Sequence, residues 1–232
     1  MNKVLALLAF SVLSLGVASA SLLPCTISGA NSGVDMPVIS TTVITCGDLV
    51  FSNFSVPNAT GGAPGFIDIL AGSDYDSVTG VAYLNFNPNL SGPNEDTQFL
   101  FEVTGGVSQI DMSVGGSDAT ITERACANPI ATSGPLAALC ENSAGTESVA
   151  PLGQITVFSG EPDQPILSGL FTTTSPIYIF KDIESGSLAD SQLSEFTQSF
   201  EPGPSTPEPL SMVLLGSGLL GLGLLRRRSR KS

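Results

Sequence analysis

Apolar and polar residues alternate along several short stretches between residues 49 and 200, with the two-residue period of a β-strand. In Gln98-Phe99-Leu100-Phe101-Glu102-Val103, the side chains of Phe99, Phe101 and Val103 fall on one side and those of Gln98 and Glu102 on the other. Thr104-Gly105-Gly106 then supplies turn residues ahead of Val107-Ser108-Gln109-Ile110-Asp111-Met112, so the pattern predicts a hairpin. Further strands are predicted over 49–56, 66–70, 81–86, 119–124, 154–158 and 176–181. The joints between them are rich in Gly, Pro and Asn, as in Pro57-Asn58-Ala59-Thr60-Gly61-Gly62. Residues 190–200 fit a turn of helix or a final strand. No other stretch of the body carries a helical stripe of useful length, and no repeat recurs at a solenoid period. About eight short strands with such joints predict an all-β fold, a β-sandwich.

The two ends break this pattern. Met1-Asn2-Lys3, an apolar stretch from Val4 to Val17 and the small-residue site Ala18-Ser19-Ala20 form a signal peptide, so residues 1–20 are expected to be removed. Pro24 directly before Cys25 argues against acylation of that cysteine. At the other end Leu210 to Leu225 is uncharged and apolar, followed by Arg226, Arg227, Arg228, Arg230 and Lys231. Gly216, Gly218 and Gly221 match a dinucleotide-binding spacing, but no strand precedes them and no acidic residue follows. Sixteen residues of helix span about 24 Å, slightly less than the ~30 Å of a bilayer core, a gap that flanking residues and snorkelling arginines close. Residues 210–225 are therefore expected to cross the membrane once. The basic tail 226–232 should stay inside and the body outside.

Thr206-Pro207-Glu208-Pro209, the apolar segment and the arginine cluster, in that order, resemble the PEP-CTERM sorting signal of bacterial surface proteins. The resemblance covers residues 207–232. It implies that an exosortase in the inner membrane recognises Pro207, Glu208 and Pro209, cuts near them and delivers the protein to the surface or extracellular matrix of a Gram-negative bacterium. In that family the signal accompanies exopolysaccharide and biofilm systems, so extracellular polysaccharide is an implied partner. Cys46 to Phe54, Lys181-Asp182-Ile183 and Leu193 to Phe200 look like segments that recur in such ectodomains. Residues 201–206 read independently as a stiff, solvated Pro/Gly linker, which leaves 21–200 as the ectodomain.

Charge and cysteines narrow the picture. All but one of the 21 acidic residues lie in the body, where Arg124 and Lys181 are the remaining cations, and the whole chain carries −13. Such a surface repels phosphate backbones, so nucleic acid is excluded as a partner. Cys25, Cys46, Cys126 and Cys140 all belong to the exported part, which predicts two disulfides. Of the three pairings, Cys25–Cys46 with Cys126–Cys140 is favoured, because each pair brackets a Gly/Ser- or Pro-rich excursion. Zinc is disfavoured by the lack of close cysteine pairs and of histidine.

The absence of histidine also removes histidine-based triads, so general acid–base work would fall to carboxylates. Asp74/Asp76 and Glu95/Asp96 are the pairs that in a cleft would imitate a glycosidase dyad, but spacing alone makes no cleft, and the chain is expected to be noncatalytic. Asp74 and Asp76, with Asp68 and Ser73 nearby, sit in what reads as an extended loop. An ordinary solvated turn and a weak calcium site are both open there. There is no tryptophan, and of three tyrosines Tyr83 and Tyr178 read as core while Tyr75 reads as a loop residue. The expectation is thus an exported, noncatalytic surface or matrix protein, with a calcium-dependent or carbohydrate-binding adhesin as the alternative.

Overall fold

The computed structural model describes residues 21–133, 137–159, 164–166 and 176–202. The expected leader, sorting motif, membrane segment and basic tail lie outside the described residues. The chain opens with β1 (Leu22–Pro24), β2 (Thr26–Ser28), β3 (Met36–Pro37) and β4 (Val43–Cys46). It continues through β5 (Leu49–Ser55), β6 (Ala59–Thr60), β7 (Asp68–Ile69), β8 (Asp74–Asp76) and β9 (Ala82–Asn87). The longer β10 (Asp96–Thr104), β11 (Val107–Val114), β12 (Ala119–Cys126) and β13 (Gly153–Phe158) follow. Last come β14 (Gln164–Ile166), β15 (Ile177–Ser185) and β16 (Phe196–Pro202). Among the described residues there is no helix, and none long and apolar enough to cross a membrane.

The strands form two antiparallel sheets. The first runs β1-β8-β9-β16-β11-β14, with β7 beside β9 and β3 beside β7. The second runs β13-β12-β15-β10-β5-β4-β2, with β6 beside β10. Alternation decides what each strand buries: Ala82, Leu84 and Phe86 of β9, and Phe99, Phe101 and Val103 of β10, point between the sheets. Rings from opposite sheets meet there, Phe51 on Phe200 at 4.8 Å and Phe86 on Phe99 at 5.2 Å between centroids. The sheets therefore pack face to face around one phenylalanine-rich core, the sandwich expected from the sequence.

Phe51 and Phe54 both face this core although strict alternation puts them on opposite sides. Asn53 resolves the conflict. Its φ of 57° makes a bulge that turns β5 back inward. The register between β5 and β10 shifts beside it, and the Asn53 amide donates to Glu102 at 2.8 Å.

Three expectations need correction. β10 and β11 do not form a hairpin: β10 pairs with β5 and β15 in one sheet, β11 with β14 and β16 in the other. Gly105 and Gly106, both at positive φ, carry the chain across the core instead. A Cβ on Gly105 would collide with the carbonyl oxygen of Asp48, so the crossing runs hard against β5's entry turn. Alternation could not foresee this, because two strands from different sheets alternate just as two paired ones do. Asp74-Tyr75-Asp76 is strand β8, paired with β1 and β9, and not a loop. Of the stretch 190–200, residues 196–200 are strand and 190–195 are a turn and irregular chain with isolated bridges at Gln192 and Leu193; β16 also takes in Glu201 and Pro202, which pair with Gln109 and Val107 rather than starting the linker.

Two disulfides join Cys25 to Cys46 and Cys126 to Cys140, with Cα atoms 4.6 and 5.4 Å apart. This is the sequence-local pairing. The second explains why Leu100 and Phe180 are buried on the outward side of their strands. Ile130, Cys126 and Cys140 cover them as a small second core, and Arg124 lies over the Phe180 ring at 5.7 Å. Disulfides persist in oxidising compartments, so the two bonds suit an extracellular or otherwise oxidising environment.

Candidate functional site

The outer face of the first sheet carries a polar groove. Its geometry follows from the strand register. Tyr83 of β9 lies opposite Asp74 of β8 on one side and Ser199 of β16 on the other, and Ser199 lies opposite Asp111 of β11. One residue pair along, Asn85, Thr197 and Ser113 form a parallel row. Because their neighbours Leu84, Phe86, Phe196, Gln198 and Met112 are buried, these side chains project outward. Two adjoining depressions follow the rows. One, about 60 Å³, is bounded by Tyr83, Asp111, Ser113, Thr197 and Ser199. The other, about 340 Å³, is bounded by Leu22, Gly72, Asp74, Tyr83, Asn85 and Thr197.

Tyr83 is thus half-buried at the floor of a groove and not in the core, and Tyr178 is likewise half-buried on the outward side of β15. Burial first, then the Glu102 carboxylate, holds the Tyr178 hydroxyl above the usual tyrosine range. Tyr75, expected in a loop, packs against the core on β8, beside the Gly47 turn that follows Cys46. In the groove, Asp111 accepts from the Gln109 amide at 3.1 and 3.0 Å, and the Asn85 amide donates to the Gly72 carbonyl at 3.0 Å.

The two aspartates singled out for calcium have different surroundings. Asp74 borders the groove. Asp76 Oδ1 accepts from the backbone N–H of Val78 at 2.8 Å and of Thr79 at 3.3 Å, which caps the turn into β9. The Val78 hydrogen bond, foremost, holds the Asp76 carboxyl below the usual range. Asp68 accepts from Asn89, and the Ser73 hydroxyl donates to Leu70 and accepts from Asn85, so neither neighbour turns toward Asp76.

Among the described residues the carboxylates that do gather are Asp96, Asp182 and Glu184, with ligand oxygens within 4.8 Å of one another. β10 and β15 bring them together on the outer face of the second sheet, where Asp96 pairs with Glu184 and Gln98 with Asp182. Burial, then Asp182 and Glu184, push the Asp96 carboxyl up. Asp96 Oδ1 and Asp182 Oδ1 are buried with no hydrogen-bond partner. Sequence reasoning missed this cluster because Asp96 lies more than 80 residues from Asp182 and Glu184 and meets them only through the β10–β15 pairing. Glu95, next to Asp96, points the other way and accepts from the N–H groups of Ser91 at 2.6 Å and Gly92 at 3.1 Å. The two do not face one another as a dyad.

The other group missed lies in the core. Glu123 of β12 and Lys181 of β15 are direct cross-strand partners, both fully buried, and form an ion pair. Gln198 of β16, on the facing sheet, donates to both Glu123 oxygens at 2.6 and 2.7 Å. A signal was present: Ile179-x-Lys181-x-Ile183 and Ile121-x-Glu123-x-Ala125 place a charge in the apolar phase of each strand.

No protein-family model matches the chain, and no curated protein is significantly similar to it. Among solved structures it is similar to that of TmCBM61 in complex with β-1,4-galactotriose, at 11% identity and a TM-score of 0.33. That similarity covers 65% of this chain and 86% of the other.

Proposed function

We propose that the chain is an exported, noncatalytic protein of the cell surface or extracellular matrix, sorted by an exosortase through Pro207, Glu208 and Pro209. The observation that carries this reading is the order of parts. The last described strand of a disulfide-bonded sandwich ends at Pro202, a few residues before the Pro-Glu-Pro, the apolar segment and the basic cluster of the sequence. The carboxylate pairs that would have served hydrolysis are engaged elsewhere: Asp76 and Glu95 each cap a turn through two backbone N–H groups. Replacing Pro207, Glu208 and Pro209 by alanine leaves the protein in the inner membrane, read by fractionation and surface labelling. Unchanged surface delivery contradicts the reading.

A second reading, a saccharide-binding module with the same address, has one observation in its favour. The groove places a half-buried tyrosine ring among the hydroxyl, amide and carboxylate groups of Ser199, Thr197, Asn85 and Asp74. An apolar ring face with polar groups around it suits a sugar ring. Titration of the full ectodomain against a panel of bacterial exopolysaccharide fragments tests it. Binding that Tyr83→Ala abolishes supports the module, and no binding across the panel favours the purely structural role.

A further inference from the structure

The Lys181–Glu123–Gln198 cluster is an expensive way to fill a core. Removing both charges from water costs several kcal/mol per ion, and hydrophobic residues of similar volume are often as stable or more so. Gln198 adds another buried polar group, and its Oε1 is left without a hydrogen-bond partner. Phe196 and Met112 complete the enclosure. The ring centroid is 5.1 Å from Lys181 Nζ and the thioether sulfur 3.3 Å from it, and all five residues are buried.

These three polar groups have complementary chemistry. Lys181 is an amine whose environment disfavours its charge: burial pulls its pKa down, with Glu123 opposing. Glu123 touches both other groups, since Lys181 Nζ and Gln198 Nε2 each donate to its Oε2. Gln198 supplies an electrophilic carboxamide carbon from the opposite sheet. A nucleophile, an acid–base group and an acyl donor share one dry pocket, already held together by the fold.

We propose that Lys181 and Gln198 form an intramolecular isopeptide bond, with Glu123 as the proton carrier, that ties β15 to β16 and so one sheet to the other. Proton transfer within the ion pair gives a neutral amine and a neutral carboxylic acid, the forms favoured by low dielectric. The Nζ lone pair attacks Cδ of Gln198, and the C=O π pair moves to Oε1. Glu123 gives its proton to Nε2 and takes one from Nζ. When the carbonyl re-forms, the Cδ–Nε2 bond breaks and its electron pair leaves with ammonia. One C–N bond replaces another, no oxidant or cofactor is consumed, and Glu123, which gives one proton and takes one during the exchange, ends as the neutral carboxylic acid formed in the first transfer. The product is a neutral secondary amide in place of a buried ion pair and a primary amide.

Peptide mapping of the full chain, exported by a bacterial host, tests this without any variant. After reduction and alkylation, cleavage behind glutamates separates Lys181, between Glu147 and Glu184, from Gln198, which lies beyond Glu195, because the Glu161–Pro162 and Glu201–Pro202 bonds resist cleavage. The bond predicts one branched species joining the two fragments, lighter than their sum by one ammonia. Two linear fragments of unmodified mass overturn the proposal. A species joined instead to Glu123, lighter by one water, overturns the assignment of Gln198. The near-isosteric Glu123→Gln variant is expected to yield separate fragments, and cross-linking at the original yield removes Glu123 from its role.

Discussion

Phe86 sits where the two sheets meet, and truncating it gives the sharpest test of the packing. Its ring is fully buried and lies 5.2 Å from Phe99, 5.3 Å from Phe196 and 6.4 Å from Phe54, centroid to centroid. A phenylalanine buries about 150–250 Å². At about 25 cal/mol per Å², roughly 4–6 kcal/mol of transfer free energy is at stake, part of which the alanine methyl retains. The rigid rings around it come from both sheets and cannot close over the hole, so a cavity term adds to the loss. Phe86→Ala is expected to cost about 3–5 kcal/mol. That is a large share of the ~5–15 kcal/mol that holds most domains folded. Phe158, at the end of β13 and 50% exposed, is the internal control, and Phe158→Ala should cost about 1 kcal/mol or less. The chain has no tryptophan, so urea unfolding is followed by far-UV circular dichroism, with m-values compared to confirm a common unfolded state. A Phe86→Ala cost below about 1 kcal/mol, or equal costs for the two variants, refutes a single core between the sheets.

Replacing Cys126 and Cys140 together by serine removes a link across a sequence separation of 14, worth about 3 kcal/mol in the chain-entropy model. It should also loosen the cover over Leu100 and Phe180. An unchanged urea midpoint contradicts this account of the second core. Asp96→Asn tests the acidic cluster. Because the folded state raises the Asp96 pKa, it binds more protons than the unfolded chain just above the ordinary value of 3.8. Stability therefore falls as pH rises through the window between the ordinary and the raised value, and the deficit persists at neutral pH. Asp96→Asn should remove that fall and stabilise the neutral protein by about 0.5 kcal/mol, the gain being small because solvent screens the site. A melting-temperature profile against pH that keeps the wild-type slope contradicts it.

Individual strands were legible because alternation is a local property. β10, β12 and β15 each show it, and the cysteine pairing was legible for the same reason, since each bond closes a short excursion. What alternation does not carry is partnership. Val107 to Val114 has the same pattern whether it folds back on β10 or crosses to the other sheet, so the expected hairpin failed. Tyr83 reads as core because it is aromatic within a strand, but its phase, between Ala82 and Leu84, puts it outside. Following phase alone would have found it. Asp96, Asp182 and Glu184 were beyond reach, because a long-range pairing brings them together. Glu123 and Lys181 stand in the apolar phase of their strands, so the same rule of phase marks them as buried.

The proposed function gives the protein an address: an oxidised sandwich outside the cytoplasm, to be released from the apolar segment that follows it. Terminal mass analysis of the protein recovered from the envelope of the cell that makes it tests this directly. The account predicts a chain beginning at Ser21, with both disulfides formed and the residues after the Pro-Glu-Pro region gone. A full-length chain in the cytosol, with residues 1–20 and the basic tail attached and its four thiols reduced, contradicts it.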